Sequence, residues 1–329
     1  MKRKLLSISL ILLILLGMTA CGGAPSEMSA SPSVIIDTDP GTDDSTALLL
    51  AQAGLGARVK LVVSSYGNSP LEQTTANAAK LADLYGMSAD ILQGAAGPMA
   101  GAREPQFSEG ADGIASAGLP ESDREILRTD TSDYLYEFLR ENPGTEYVVL
   151  GPMTNLAALL EKHPQAEKLI GRVVTMAGGF EEFNMDDCAE FNIHCDPIAA
   201  KRVFESGLKI HMVPLDTTNQ LPLSHEELLA IPDGKTSGSE YLRAILLDNE
   251  RVSMSWGLPG AVIYDASALA YLLQPELFTT RTIGVAVSDG ADYGSTTETG
   301  ERSNVTLVEA PNREGIYKLI CDSAHGIFS

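Results

Sequence analysis

From residue 34 onward, short apolar runs alternate with longer stretches of helical periodicity. The apolar runs predict strands at Val34–Ile36, Arg58–Ser65, Ile91–Gln93, Tyr147–Leu150, Val173–Met176 and Ile210–Val213. Helical patterns fall between them, at Asp43–Gln52, Leu71–Tyr85, Thr131–Asn142, Asn155–His163 and Pro197–Ser206. Further helices are predicted at Ser239–Met254 and Ala266–Leu273, and two late strands near Thr280–Ser288 and Asn304–Val308 precede a terminal helix. Strands alternating with helices define an α/β fold, with a largely parallel central sheet covered by helices on both faces.

In such sheets ligands bind at the carboxyl ends of the strands. Asp37 and Asp39, Asn68, Gly151–Thr154 and Met176–Gly179 all lie just past predicted strands, which points to one domain with one cleft. Residues 94–123 are rich in Gly, Ala and Pro and predict a long irregular loop, a feature often tied to function in compact domains.

The first residues follow a different logic. Met1-Lys2-Arg3-Lys4 is a basic start, Leu5–Leu16 is almost wholly apolar, and small residues lead to Cys21. The run is short for a membrane span and has the flanks of a signal peptide. Its end resembles a bacterial lipobox, in which Cys21 becomes the lipidated first residue. The expected organisation is therefore a lipoprotein signal at 1–20, a flexible tether at 21–33 and a catalytic domain at 34–329. The expected location is extracytoplasmic, with the membrane touched only through the lipid.

The net charge of −21 would become −24 without residues 1–20, which hold three basic residues and no acidic one. Such acidity argues against nucleic acid or an anionic membrane surface as partner and leaves small neutral molecules open. Beyond Cys21 the cysteines are Cys188, Cys195 and Cys321; three scattered thiols do not make a disulfide framework and read as free.

The densest chemistry is Asp37-Thr38-Asp39-Pro40-Gly41-Thr42-Asp43-Asp44. Four carboxylates in eight residues repel one another unless something positive sits among them, and a hard cation with oxygen ligands is the economical reason to gather them. An EF-hand counted from Asp37 would need Gly where Thr42 stands and an acid where Leu48 stands. A D-x-D-x-T/V phosphotransferase would want Thr or Val at Gly41, the histidines show no zinc spacing, and Gly54-Leu55-Gly56 lacks a dinucleotide fingerprint.

Val34–Leu50, VIIDTDPGTDDSTALLL, resembles the opening signature of the inosine–uridine-type nucleoside hydrolase family. The resemblance continues in order through Tyr66-Gly67-Asn68, Thr74-Thr75 with Asn77, Leu150–Asn155, Met176–Gly179, Glu190-Phe191-Asn192 with Asp196-Pro197, and Asp265. It covers essentially the whole chain from Val34 and implies a Rossmann-like nucleoside hydrolase fold. It further implies a Ca²⁺-dependent N-ribohydrolase, in a homodimer or homotetramer, that splits nucleosides to free base and ribose for purine or pyrimidine salvage.

Carried over by position, the resemblance implies Ca²⁺ held by Asp39, Asp44, the carbonyl of Thr154 and Asp265, with the ion also meeting a water and the ribose hydroxyls. Asp39 would be the general base, and direct attack by water would invert the anomeric carbon. Asp43, Asn68 and Asn192 would bind the ribose, Asn184 and Glu190 its 5′ end, and Met176 would pack beside it; Asp37 would orient the loop.

Departures from the family pattern gather on the leaving-group side. Tyr264 precedes Asp265 where His is usual and is the candidate partner of the leaving base, although a tyrosine is a weaker acid at neutral pH. Glu109-Gly110 replaces a His-Gly pair, Phe183 stands where Gly is common, and Trp256, in a predicted loop, is available to stack on a base. These departures keep two alternatives in view: a Ca²⁺-dependent nucleoside- or ribose-binding lipoprotein with little catalysis, and a hydrolase of another ribosyl substrate.

Overall fold

The computed structural model describes residues 31–104, 107–109, 113–231, 236–300 and 304–329. The expectations for the signal segment 1–20, for Cys21 and for residues 22–30 lie outside the described residues. Residues Pro32–Ser329 form one unit.

Strand β1 (Val34–Thr38) is the pivot of the sheet. On one side it pairs in parallel with β2 (Val59–Ser64), which is followed outward by β3 (Asp90–Gln93) and β4 (Ile126–Leu127). On the other it pairs in parallel with β5 (Thr145–Val149), followed by β6 (Ile170–Met176) and β7 (Ile210–Val213). Beyond β7 come β8 (Thr279–Val287), β9 (Thr296–Thr299) and β10 (Val305–Glu309) in the order β10-β8-β9. Strand β10 is parallel to β7, whereas β8 is antiparallel to both β10 and β9.

The inner strands are buried on both faces, with consecutive residues entering opposite cores. Ile36, Val62, Val148 and Val174 pack in one apolar cluster; Ile35, Leu61, Val63, Tyr147, Val149 and Val173 pack in the other. The helices that cover these faces are α1 (Thr42–Leu55), α2 (Leu71–Leu84), α3 (Thr131–Glu141), α4 (Thr154–Lys162), α5 (Phe191–Cys195) and α6 (Pro197–Phe204). They continue with α7 (Leu215–Thr218), α8 (His225–Ala230), α9 (Ser237–Ser255), α10 (Tyr264–Leu273) and α11 (Arg313–Phe328). Helix α1 is apolar around most of its girth, and Ala47–Ala51 are all fully buried. Truncating one of these leucines to Ala would cost about 2–5 kcal/mol.

All the predicted strands and helices are present, with ends shifted by a few residues at most. The sequence reading did not anticipate β4, β9, α5, α7 and α8, which span two to six residues and are too short to show a period. Trp256, expected in a loop, is the residue that caps the C-terminus of α9. The described part of 94–123 is irregular apart from a single-turn helix at Gly113–Ala117.

Candidate active site

The chain leaves β1 toward β2 on one side of the sheet and reaches β5 on the other, so the crevice past β1 and β5 is a topological switch point. The carboxylate loop begins there. Leu150 N–H donates to the Asp37 carbonyl at 2.7 Å and Ser65 N–H to the Thr38 carbonyl at 2.9 Å, so both neighbouring strands grip the end of β1. The Asp37 side chain turns inward, accepting from Tyr147 Oη at 3.0 Å and Asn155 Nδ2 at 2.9 Å. Burial pushes its carboxyl up to about 7 against the pull of those two donors. Those two bonds tie the end of β1 to β5 and α4.

Asp39 is 1% exposed. Its Oδ2 accepts from Asn68 N–H at 2.7 Å, and its Oδ1 is buried without a hydrogen-bond partner. Burial first, and the charge of Asp44 second, raise its pKa well above the carboxylate range. Asp44 accepts from the Thr38 hydroxyl, from Gly41 N–H at 2.9 Å and from Asn68 Nδ2 at 3.0 Å. Carboxylate oxygens of Asp43, Asp44 and Asp265 lie within 4.8 Å of one another. Burial leads the upward shift in all three; like-charge repulsion adds to it for Asp43 and Asp265. An acidic floor this dry, with an orphaned carboxylate oxygen and only oxygen donors, fits a hard divalent cation.

Above the floor opens a cavity of about 440 Å³, within the usual range for a small-molecule site. Asp43, Asn68, Met176, Asn184, Glu190, Asn192, Tyr264 and Asp265, all expected in the site, line it. Asp39, Asp44 and Thr154 do not reach its surface. The Thr154 hydroxyl donates to Asp196 Oδ2 at 2.8 Å as α4 begins, which leaves its carbonyl, the expected ligand, uncommitted by that bond. Asp43, Asp44 and Asp265 form a group that could hold a metal ion, and the charge of Asp39 reaches Asp265 beside it.

The wall residues are held by the backbone. Asn192 Nδ2 donates to the carbonyls of Leu150 at 2.7 Å and Met176 at 3.2 Å. Glu190 caps α5, accepting from the N–H groups of Asn192, Ile193 and Gly178 at 2.8–3.1 Å. Burial lifts its carboxyl to about 6 against those bonds. Tyr264 opens α10 beside Asp265; burial, then the charges of Asp43 and Glu190, push its hydroxyl pKa up.

Ser108, Asn249 and Val252 were not read from the sequence as cavity residues, whereas Glu109, Phe183 and Trp256 had been noted on the leaving-group side. Ser108 and Glu109 come from the long loop, and Glu109 Oε1 accepts from the Thr42 N–H at 2.8 Å and hydroxyl at 2.7 Å, capping α1. Burial raises the Glu109 carboxyl to about 7. On α9, Asn249 Nδ2 donates to Thr42 Oγ1 at 3.1 Å, and Val252 and Trp256 follow it into the cavity wall. The i, i+3, i+7 spacing of these three was the available signal. Trp256 is 54% exposed, and Phe183 reaches the same cavity. The three cysteines are free thiols.

Fold and site together define an α/β enzyme that brings buried carboxylates to bear on a small ligand. Comparison with known proteins makes this definite: the sequence model of the inosine-uridine preferring nucleoside hydrolase matches residues 34–318, and the chain belongs to that family. It is 34% identical over 310 residues to the pyrimidine-specific ribonucleoside hydrolase RihA of Enterobacter sp. (strain 638), covering 88% of this chain and 96% of RihA. It is 35% identical over 269 residues to the non-specific ribonucleoside hydrolase RihC of Salmonella schwarzengrund, covering 81% of this chain and 86% of RihC. Among solved structures, the purine-preferring ribonucleoside hydrolase from Gardnerella vaginalis superposes with a TM-score of 0.84 at 25% identity, covering 90% and 98% of the two chains. The plant nucleoside hydrolase PpNRh1 gives 0.81 at 27% identity, covering 90% and 99%.

The comparison also corrects one expectation: the exported, lipid-anchored location expected from the first residues is contradicted by the match to RihA and RihC. Among the described residues no helix is long and apolar enough to cross a membrane.

Proposed function

We propose that the chain hydrolyses the N-glycosidic bond of ribonucleosides to free base and ribose, in a Ca²⁺-dependent reaction. The observation that carries this reading is the buried carboxylate floor, with Asp39 Oδ1 unpartnered, under a cavity walled by Asn68, Asn192 and Glu190. Asp39, Asp44, Asp265 and the Thr154 carbonyl are the groups that would hold Ca²⁺, and Asp43 lies close enough to share in it. The ion would supply the positive charge these carboxylates lack and acidify a water.

Asp39 would take the proton of the attacking water, since its buried Oδ1 has no hydrogen-bond partner. Asn192, with its amide nitrogen committed to two carbonyls, turns its oxygen to a ribose hydroxyl. Asp43 and Asn68 bind the same face of the sugar, Asn184 and Glu190 its 5′ end, and Met176 packs beneath it. Attack from the floor, opposite the departing base, inverts the anomeric carbon. Tyr264 serves as hydrogen-bond donor to the leaving base rather than as a proton carrier, because burial holds its proton.

The test is a reducing-sugar assay over purine and pyrimidine ribosides, with Ca²⁺ and after chelation. Both base classes are needed because the relatives include purine- and pyrimidine-preferring enzymes. Ribose release that stops on chelation and returns with Ca²⁺ is the expected result. Saturable nucleoside binding without ribose release would replace this reading with a binding protein.

A further inference from the structure

Between Asn184 and Glu190, both on the cavity wall, the chain makes a tight hairpin closed by an antiparallel bridge from Met185 to Ala189. Its tip is strained: Asp186 and Asp187 both lie at positive φ, 51° and 55°. For residues other than Gly such a conformation costs roughly 1 kcal/mol each, and it persists only where the surroundings impose it.

What imposes it here is a cluster around the Asp186 carboxylate. Arg103 Nη1 donates to Oδ2 at 3.0 Å, and His194 Nε2 lies 3.2 Å from the same oxygen. Hydrogen bonds from these two groups hold the Asp186 carboxyl below the usual range, His194 contributing most. An exposed ion pair alone would contribute little. This one is anchored at both ends. The Arg103 guanidinium stacks 4.0 Å over the Tyr293 ring while its backbone N–H donates to Tyr293 Oη at 2.7 Å. His194 is 5% exposed, edge-on to the same ring, and two residues past Asn192. One carboxylate thus ties the hairpin to the 99–104 segment, to α5 and to the turn before β9.

We propose that Asp186 is a positioning residue: through Arg103 and His194 it fixes the hairpin so that Asn184 meets the 5′ end of the substrate's sugar. The inference rests on the ribohydrolase reading, which puts the sugar's 5′-hydroxyl beside Asn184. Asp186 touches no reacting atom, and its effect is confined to substrates that carry that hydroxyl.

The experiment compares a ribonucleoside with its 5′-deoxy analogue, using the full chain with Ca²⁺. Asp186→Asn removes the charge but keeps the shape, and Asn tolerates positive φ as well as Asp does. The expected result is a KM for the ribonucleoside raised about 10-fold with kcat within about 3-fold, the signature of lost ground-state binding. On the 5′-deoxy analogue wild type and variant should differ by less than about 2-fold. Arg103→Met, which breaks the cluster from the other side, should reproduce this pattern and guards against a misfolded Asn variant. Equal losses on both substrates, or no change on either, would overturn the assignment. A wild-type protein that cleaves neither substrate would overturn the ribohydrolase reading itself, and this inference with it.

Discussion

A β-carbon on Gly67 would stand 2.0 Å from Oδ2 of Asp39, closer than any real contact. Asn68, the next residue, donates its N–H to that same oxygen at 2.7 Å. The turn after β2 must therefore pass flat against the proposed base, and only a residue without a side chain allows it. Gly67→Ala should displace Asp39 by a fraction of an ångström or more, and misplacements of that order cost about 100-fold in rate. A kcat reduced by about that factor, with a melting temperature within a few degrees of wild type, is the expected pairing. Near-normal kcat would show that Asp39 does not need its present position.

Asp43, Asp44 and Asp265 crowd their carboxylates within 4.8 Å, an arrangement that favours the fold only when a cation neutralises it. Without the ion, removing one charge should help. Asp265→Asn should melt higher than wild type in chelator, because it relieves repulsion among buried like charges. With Ca²⁺ the order should reverse, since wild type gains the binding free energy and the variant does not. Thermal melts with and without chelator decide the matter; parallel responses of the two proteins would place the ion elsewhere.

The carboxylate floor was legible because it is local: Asp37, Asp39, Asp43 and Asp44 sit in one eight-residue stretch, and the strand that precedes them is an unbroken apolar run. The cavity wall was less so. Glu109 meets Thr42 across 67 positions and Asn249 meets it across 207. No window along the chain contains either pair. Helix α5 escaped notice for a related reason. Five residues make little more than one turn, and what stabilises it is the Glu190 cap joined to Gly178, a partner twelve residues away. Distant hydrogen bonds, rather than periodicity, shape this part of the cavity wall.

Tyr264 separates two kinds of help to a leaving group. Its hydroxyl keeps its proton because burial and the charges of Asp43 and Glu190 oppose ionisation. It can therefore donate a hydrogen bond and is a poor proton source at neutral pH. Tyr264→Phe should lower kcat on ribonucleosides by about 10-fold or less, the scale of one lost hydrogen bond, rather than the 10²–10⁴ of a lost acid. Steady-state kinetics on both base classes would show it, and a loss beyond about 100-fold would restore Tyr264 as the acid.

His211 gives a pH dependence that is independent of the active site. It lies on β7, half-buried, with Nδ1 2.8 Å from Tyr271 Oη. Burial, and then the nearby charge of Arg172, push its imidazole down to about 4 from an ordinary value of 6.5, with Glu146 opposing. Between those two values the unfolded chain holds a proton that the folded chain does not. Stability from this group is therefore complete above pH 6.5 and falls as pH drops toward 4, by at most about 1.4 kcal/mol per pH unit. Half-exposure reduces that, so the contribution lost near pH 4.5 should be about 1–2 kcal/mol. His211→Asn offers Tyr271 a polar partner but cannot titrate. Carboxylates also titrate in this range, so the measurement is the difference between wild type and variant in denaturant unfolding from pH 7.5 to 4.5. The gap should shift in the variant's favour on acidification, by most of its total between pH 6.5 and 4.5. A gap that stays constant with pH would mean that His211 titrates alike in the folded and unfolded chains.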